Sequence, residues 1–144
     1  MGAYVTNKPG GIRSHPYTTD MTVNPLTYSD LETRNDSHLI GEVWASLLWE
    51  VYWSLVTSMD FQRICTTLNS LKAILLPCRL YWWNDAPAMQ PTFLSARDAI
   101  VLLMLPTTRV PTQCEILEAF AKRGLGSKAT SSYNNDFSVP SECR

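Results

Sequence analysis

Between residues 38 and 59, Ile40, Val43, Trp44, Leu47, Leu48, Val51 and Leu55 recur at the spacing of one helix face, which predicts an α-helix there. Ser37 or Asp36 stands where a side-chain oxygen accepts a free first-turn N–H. Glu42, Ser46 and Glu50 fall four apart on the other flank, together with Trp49 and Trp53. A helix apolar on one side and aromatic on the other is expected to be covered on both. Phe61–Leu76 has the spacing of a second helix (Ile64, Leu68, Leu71, Leu75) ended by Pro77, and Tyr81-Trp82-Trp83 before Asn84-Asp85-Ala86-Pro87 reads as an aromatic cluster and a turn. Helical spacing returns over 92–105, with Phe93, Ala96, Ala99, Ile100 and Leu103 and a stop at Pro106. Thr112-Gln113-Cys114-Glu115 has the form of a capping box opening a last helix, which closes with Lys122, Arg123 and a C′ glycine at Gly124.

The flanks lack this periodicity. Residues 1–37 are polar and turn-rich, with Lys8-Pro9-Gly10-Gly11, Pro16 and Pro25, so a long N-terminal coil is expected. A loop of that length in a compact domain wraps something or lines a site. From Gly126 onward the chain is rich in Ser and Asn and reads as an extended tail.

Composition narrows the function classes. The chain has 144 residues, enough for one domain or part of one, with 45% apolar and 17% charged residues and five Trp. Its formal net charge is −1. Neither half is strongly basic, which argues against nonspecific nucleic-acid binding. The longest apolar candidate, Leu39–Met59, is broken by Glu42 and Glu50, so no membrane span is expected. The N-terminus lacks the basic and apolar regions of a signal peptide; Gly2 and Thr6 do fit a short myristoylation pattern. Cys65, Cys78, Cys114 and Cys143 allow three pairings and contain no C-x-x-C, which speaks against a zinc cluster. Asn35-Asp36-Ser37 is a glycosylation sequon, usable in the secretory route.

Catalytic motifs are sparse. His15 and His38 are the two histidines, and the chain has no H-E-x-x-H, P-loop, G-x-G-x-x-G or G-x-S-x-G. Ser14-His15 and Ser37-His38 are adjacent pairs, and sequence neighbours are expected to point apart rather than couple. His38 stands where the coil meets a helix N-terminus, a place from which an imidazole can donate to a developing oxyanion. The plainer reading of His38 is a polar first-turn residue with no role. Arg13 is suited to clamp a carbonyl or carboxylate; its plainer reading is an ordinary surface arginine.

Several longer strings carry a family resemblance. Gly11-Ile12-Arg13-Ser14-His15-Pro16-Tyr17-Thr18-Thr19-Asp20, Asn24-Pro25-Leu26-Thr27-Tyr28, His38-Leu39-Ile40-Gly41-Glu42-Val43-Trp44-Ala45, Pro91-Thr92-Phe93-Leu94-Ser95-Ala96-Arg97-Asp98-Ala99-Ile100 and Ala119-Phe120-Ala121-Lys122-Arg123-Gly124-Leu125-Gly126 resemble the fungalysins, secreted fungal zinc metalloendopeptidases of the thermolysin-like group. The resemblance covers 1–59 and 89–126, while 60–88 diverges. It implies a mainly α fold: an incomplete C-terminal helical subdomain of a thermolysin-like peptidase over 1–126, then the tail at 127–144. It also implies that the H-E-x-x-H helix and the carboxylate ligand precede this sequence. Zinc then belongs to the full-length family and is not bound by this chain alone, which is expected to be inactive by itself. Under the same resemblance His38 stabilises the tetrahedral oxyanion, Arg13 holds a substrate carbonyl, and only Cys114 and Cys143 sit in matching contexts. The implied partner is a protein or peptide substrate, and the implied location is extracellular. The competing expectation is a non-catalytic helical module that binds a peptide or protein.

Overall fold

The computed structural model describes residues 3–7, 11–58, 91–104 and 110–143. Gly2, the first three residues of the Lys8–Gly11 turn, the proposed helix over Phe61–Leu76, the Tyr81–Trp83 cluster, Pro106, Cys65 and Cys78 lie outside them. The described elements are helical: a single turn, α1 (Ala3–Thr6), then a 3-10 turn (Tyr28–Thr33), α2 (Ser37–Ser58), α3 (Phe93–Met104), α4 (Val110–Lys122) and a last 3-10 turn (Ser141–Cys143). The described residues contain one isolated β-bridge and no strand. None of their helices is long and apolar enough to cross a membrane.

Two of the long helices, α2 and α3, begin on side-chain caps. Asp36 Oδ1 accepts the N–H groups of His38 (2.7 Å) and Leu39 (3.3 Å), so α2 starts on an N-cap that the sequence proposed. At α3, Thr92 and Ser95 cap reciprocally: Ser95 N donates to Thr92 Oγ1 at 3.1 Å and Thr92 N to Ser95 Oγ at 2.9 Å. The box read at Thr112–Glu115 is not used as a helix start. α4 begins at Val110, because Pro111 needs no N–H bond in a first turn and tolerates the helix there. Glu115 instead reaches across to α2, accepting the Ser58 hydroxyl at 2.5 Å. The C-terminus of α4 is a Schellman motif: Leu125 N donates to Phe120 O (3.0 Å), Gly124 N to Ala121 O (2.9 Å), and Gly124 takes φ +84°. A Cβ at Gly124 would lie 2.1 Å from Asn135 Oδ1, so the position excludes side chains twice over.

The core forms where α2 packs on α4 with α3 against the latter. Val43, Leu47 and Val51 of α2 meet Ile116, Ala119 and Phe120 of α4, and the coil adds Leu26, Tyr28 and Leu31. Trp44 bridges the layers, edge-on to Phe93 at 5.4 Å and stacked on Phe120 at 6.2 Å between centroids. The apolar face is therefore where the 3.6-residue period puts it, except for Leu48, which is exposed at its margin. The opposite flank, also expected to be covered, is covered along its polar positions but not fully at its aromatic ones. The polar stripe Glu42, Ser46 and Glu50 is buried, whereas Tyr52 and Trp53 are 44% and 41% exposed. The N-terminal coil lies over the polar stripe and satisfies it: Asn24 Nδ2 donates to Ser46 Oγ at 3.1 Å and to Pro16 O at 3.0 Å.

Residues 124–143 are irregular, with turns at 127–128 and 131–132 and the closing 3-10 turn at Ser141–Cys143, rather than a plain extended tail, and they are tied down. Leu125 bridges to Asp136, Gly126 N donates to Asp136 O (2.8 Å), and Ser127 N donates to Ser138 O (2.9 Å). The buried Tyr28 donates its hydroxyl to Thr130 O at 2.9 Å, and burial pushes its phenol above the ordinary range, which keeps that donor protonated. The Cys114–Cys143 disulfide closes the segment onto α4. Reducing it, or replacing both cysteines with Ser, is expected to cost about 2–4 kcal/mol through the freed loop. A thermal melt with and without reductant reads this directly, and an unchanged midpoint would refute it.

Asp136 adds a pH dependence to the same segment. Burial alone raises its carboxyl, but donors from Ser138 Oγ (2.6 Å) and Lys128 N (2.8 Å) outweigh it and hold the group below its usual value. A lowered folded-state pKa gives stability that is complete above the unfolded value and is lost as pH falls through the folded one. Acid titration of the wild type should therefore show a loss below the normal Asp range that Asp136→Asn flattens. Equal acid slopes in the two proteins would disprove this.

Candidate functional site

At the N-terminal end of α2, one buried carboxylate organises the coil. Glu42 is wholly buried. It accepts the Ser14 hydroxyl at 3.0 Å on either oxygen and His15 N at 2.9 Å, and Arg34 Nη1 lies 3.7 Å away. An unpaired carboxylate at that depth would carry a large desolvation cost, so residues 14–15 are held against the helix. The preceding residue is placed by the same contact: Arg13 Nη1 donates to the backbone oxygen of His38 at 2.5 Å. Arg13 and His38, 25 positions apart in the chain, thus share one edge. The arginine meets the histidine's carbonyl rather than its ring. The His38 ring is exposed in the first turn of α2 and has no hydrogen bond among the described residues.

Ser14 and His15 do not point apart. Ser14 Oγ lies 2.9 Å from His15 Nδ1. The shared Glu42 is the reason, since it grips the Ser14 hydroxyl and the next backbone N–H at once. The Ser14 proton goes to Glu42, so the imidazole donates to Ser14 rather than drawing its proton. That polarity is opposite to what a serine nucleophile requires.

A second cluster fixes the middle of the coil. Arg123, wholly buried, donates from Nε to Glu50 Oε1 (2.8 Å) and from Nη1 to Asn24 O and Leu26 O (both 2.9 Å). Its Nη2 donates to Thr18 O (2.6 Å) and pairs with Glu50 Oε1 (2.8 Å). All of its donors are used. Lys122 Nζ adds Thr19 O (2.7 Å) and Glu50 Oε2 (2.8 Å). Sequence reasoning placed Lys122 and Arg123 only as helix-end charges and Glu42 and Glu50 only on the second flank of α2, expected to be covered but with no partners named. The available signal was two carboxylates eight residues apart on an otherwise apolar helix, with a polar coil before it.

Beyond Glu50, an open groove of about 490 Å³ runs between α2 and α4, lined by Trp53, Ser54, Thr57, Ser58, Glu118 and Lys122 among others. Counting 16 residues from His38 to Ser54, it lies about 24 Å along α2 from the Arg13–His38 edge. The two features are separate.

Among the described residues, no three His, Cys, Asp or Glu side chains converge in a way that could hold a metal ion. Glu42 and Glu50 are committed to cationic and hydroxyl donors. These residues do not fit a zinc site, and no step through zinc is assigned to them.

Comparison with known proteins places this architecture. Residues 1–129 match the family described as Fungalysin metallopeptidase (M36). Extracellular metalloproteinase MEP of Neosartorya fischeri is 39% identical over 149 residues, covering 94% of this chain and 22% of that protein. Extracellular metalloproteinase 2 of Arthroderma otae is 35% identical over 161 residues, covering 99% of this chain and 24% of its own length. Extracellular metalloproteinase 10 of Coccidioides posadasii is 34% identical over 163 residues, with 99% and 24% coverage. The chain spans about a quarter of the length of these curated relatives. With the helical architecture, and a family match reaching from the coil through the end of α4, the chain belongs to the fungalysin metallopeptidase family.

Proposed function

We propose that this chain is the C-terminal, substrate-facing part of the catalytic domain of a secreted zinc-dependent metalloendopeptidase. The zinc ligands and the general base are supplied by polypeptide outside this sequence, and the chain alone is inactive. The observation that carries this reading is the edge at the start of α2, where buried Glu42 seats the coil so that Arg13 braces the turn bearing the exposed His38 ring. In peptide hydrolysis the carbonyl oxygen gains negative charge as the carbon becomes tetrahedral. A ring N–H of His38 donates to that oxygen, and the rigid helix end keeps the donor in place at little reorganisation cost. Arg13 spends one N–H on the His38 carbonyl, leaving the rest of its five donors for a substrate carbonyl.

The second reading, a non-catalytic helical module for a peptide or protein, is favoured by the α2–α4 groove and the exposed Tyr52 and Trp53. One experiment separates the two. The chain is grafted in place of the matching portion of the Neosartorya fischeri relative, and peptide hydrolysis and zinc content are measured for the graft and for the chain alone. Hydrolysis by the zinc-loaded graft and none by the chain is expected. A folded, zinc-loaded graft without activity would sink the peptidase reading. Stoichiometric zinc with hydrolysis in the isolated chain would refute the assignment of the ligands elsewhere.

A further inference from the structure

We propose that Asn35 is an N-glycosylation acceptor, so that an oligosaccharide borders the Arg13–His38 edge. Asn35-Asp36-Ser37 is the one N-x-[ST] sequon in the sequence. Position alone does not make it usable; its surroundings do. Asn35 lies in irregular backbone between the 3-10 turn ending at Thr33 and the start of α2 at Ser37. Its side chain is exposed and makes no hydrogen bond among the described residues. Three other described asparagines are committed: Asn24 is buried on Ser46 and Pro16, Asn134 donates to Ser132, and Asn135 ties Thr27 and Ser29 to the tail.

The neighbours also suit a bulky polar graft. Glu32, Thr33, Asp36, Ser37 and His38 are all exposed, so a glycan covers polar surface and displaces no packed side chain. Asp36 turns its carboxylate to the first-turn N–H groups of α2, and Arg34 lies near Glu42, so the loop is anchored on both sides of Asn35. In the modification, Asn35 Nδ2 bonds to the anomeric carbon of a lipid-pyrophosphate-linked oligosaccharide. The sugar–phosphate C–O bond breaks, the lipid pyrophosphate leaves with its electron pair, and one amide proton passes to solvent. The inference rests on the secreted reading above.

The test supplies the route. The whole chain is expressed behind a cleavable secretion leader in yeast, and total protein from cells and medium is examined, so the readout does not depend on folding or export. Cleavage of the leader shows entry into the secretory route. The wild type and Ser37→Thr are expected to run as a heavier form that a peptide-N-glycosidase collapses by hydrolysing the Asn35 side-chain amide, so that Asn35 is recovered as Asp in the released peptide. Asn35→Gln and Ser37→Ala should lack the heavier form. Leader-cleaved wild type with no heavier form would overturn the proposal. Because the leader is provided, that outcome counts against Asn35 and leaves the peptidase reading to the graft.

Discussion

Replacing Arg123 with Met will remove about 3–5 kcal/mol of stability, the cost typical of breaking a buried ion pair from one side. The guanidinium is the shared partner of Glu50 and of three coil carbonyls, Thr18, Asn24 and Leu26. Its removal leaves an acid that is 4% exposed with Lys122 alone, a surface lysine that is also held by Thr19 O. It also leaves three carbonyls to find water. Lysine at the same place keeps the charge but not the fork, and one ammonium cannot reach four acceptors in three directions, so Arg123→Lys should recover only part of the loss. Urea unfolding of wild type, Arg123→Met, Glu50→Leu and the double variant reads the coupling. The double variant should cost clearly less than the two single costs added, because it removes the stranded charge. A change under about 1 kcal/mol for Arg123→Met, the ordinary scale of a surface pair, would show that this cluster does not hold the coil.

The second large effect concerns rate rather than stability. In the grafted peptidase, His38→Ala should lower kcat by about 100- to 1,000-fold with little change in KM, the pattern of a donor used only in the transition state. The ring is exposed and the Asp36 cap uses backbone N–H groups, so the variant should unfold at the same urea concentration as its parent. Glu42→Gln provides the contrast. It weakens the seat of Ser14 and His15, and so should lower both stability and kcat, because it acts on His38 through the coil and Arg13. A His38→Ala graft with near-normal kcat would remove the imidazole from the mechanism whatever the fate of the peptidase assignment.

Part of this structure is disclosed locally by the chain. The starts of α2 and α3 followed from period and punctuation: Asp36 ahead of an apolar stripe, and a regular face from Phe93 to Ile100. Gly124 after two basic residues marked the end of α4. The start of α4 was misread. A Thr-x-x-Glu string satisfies the capping pattern wherever it falls, and only the neighbouring helix decided that Glu115 bonds to Ser58. Ser14 and His15 were misjudged for a similar reason. Adjacent residues have no local cause to converge, and the cause was a carboxylate 28 residues away.

Sequence by itself determined the helical periodicity, the caps at Asp36 and Gly124, the family strings and the sequon, because each depends on residues within a few positions of one another. Tertiary structure decided that Glu42, Ser46 and Glu50 face inward, that Arg13 reaches the His38 carbonyl and that Arg123 gathers the coil. A polar stripe on a helix has the same pattern whether it faces water or a coil full of donors. The choice is made by desolvation against hydrogen bonding, and those partners lie up to 105 residues apart, beyond the reach of any local pattern.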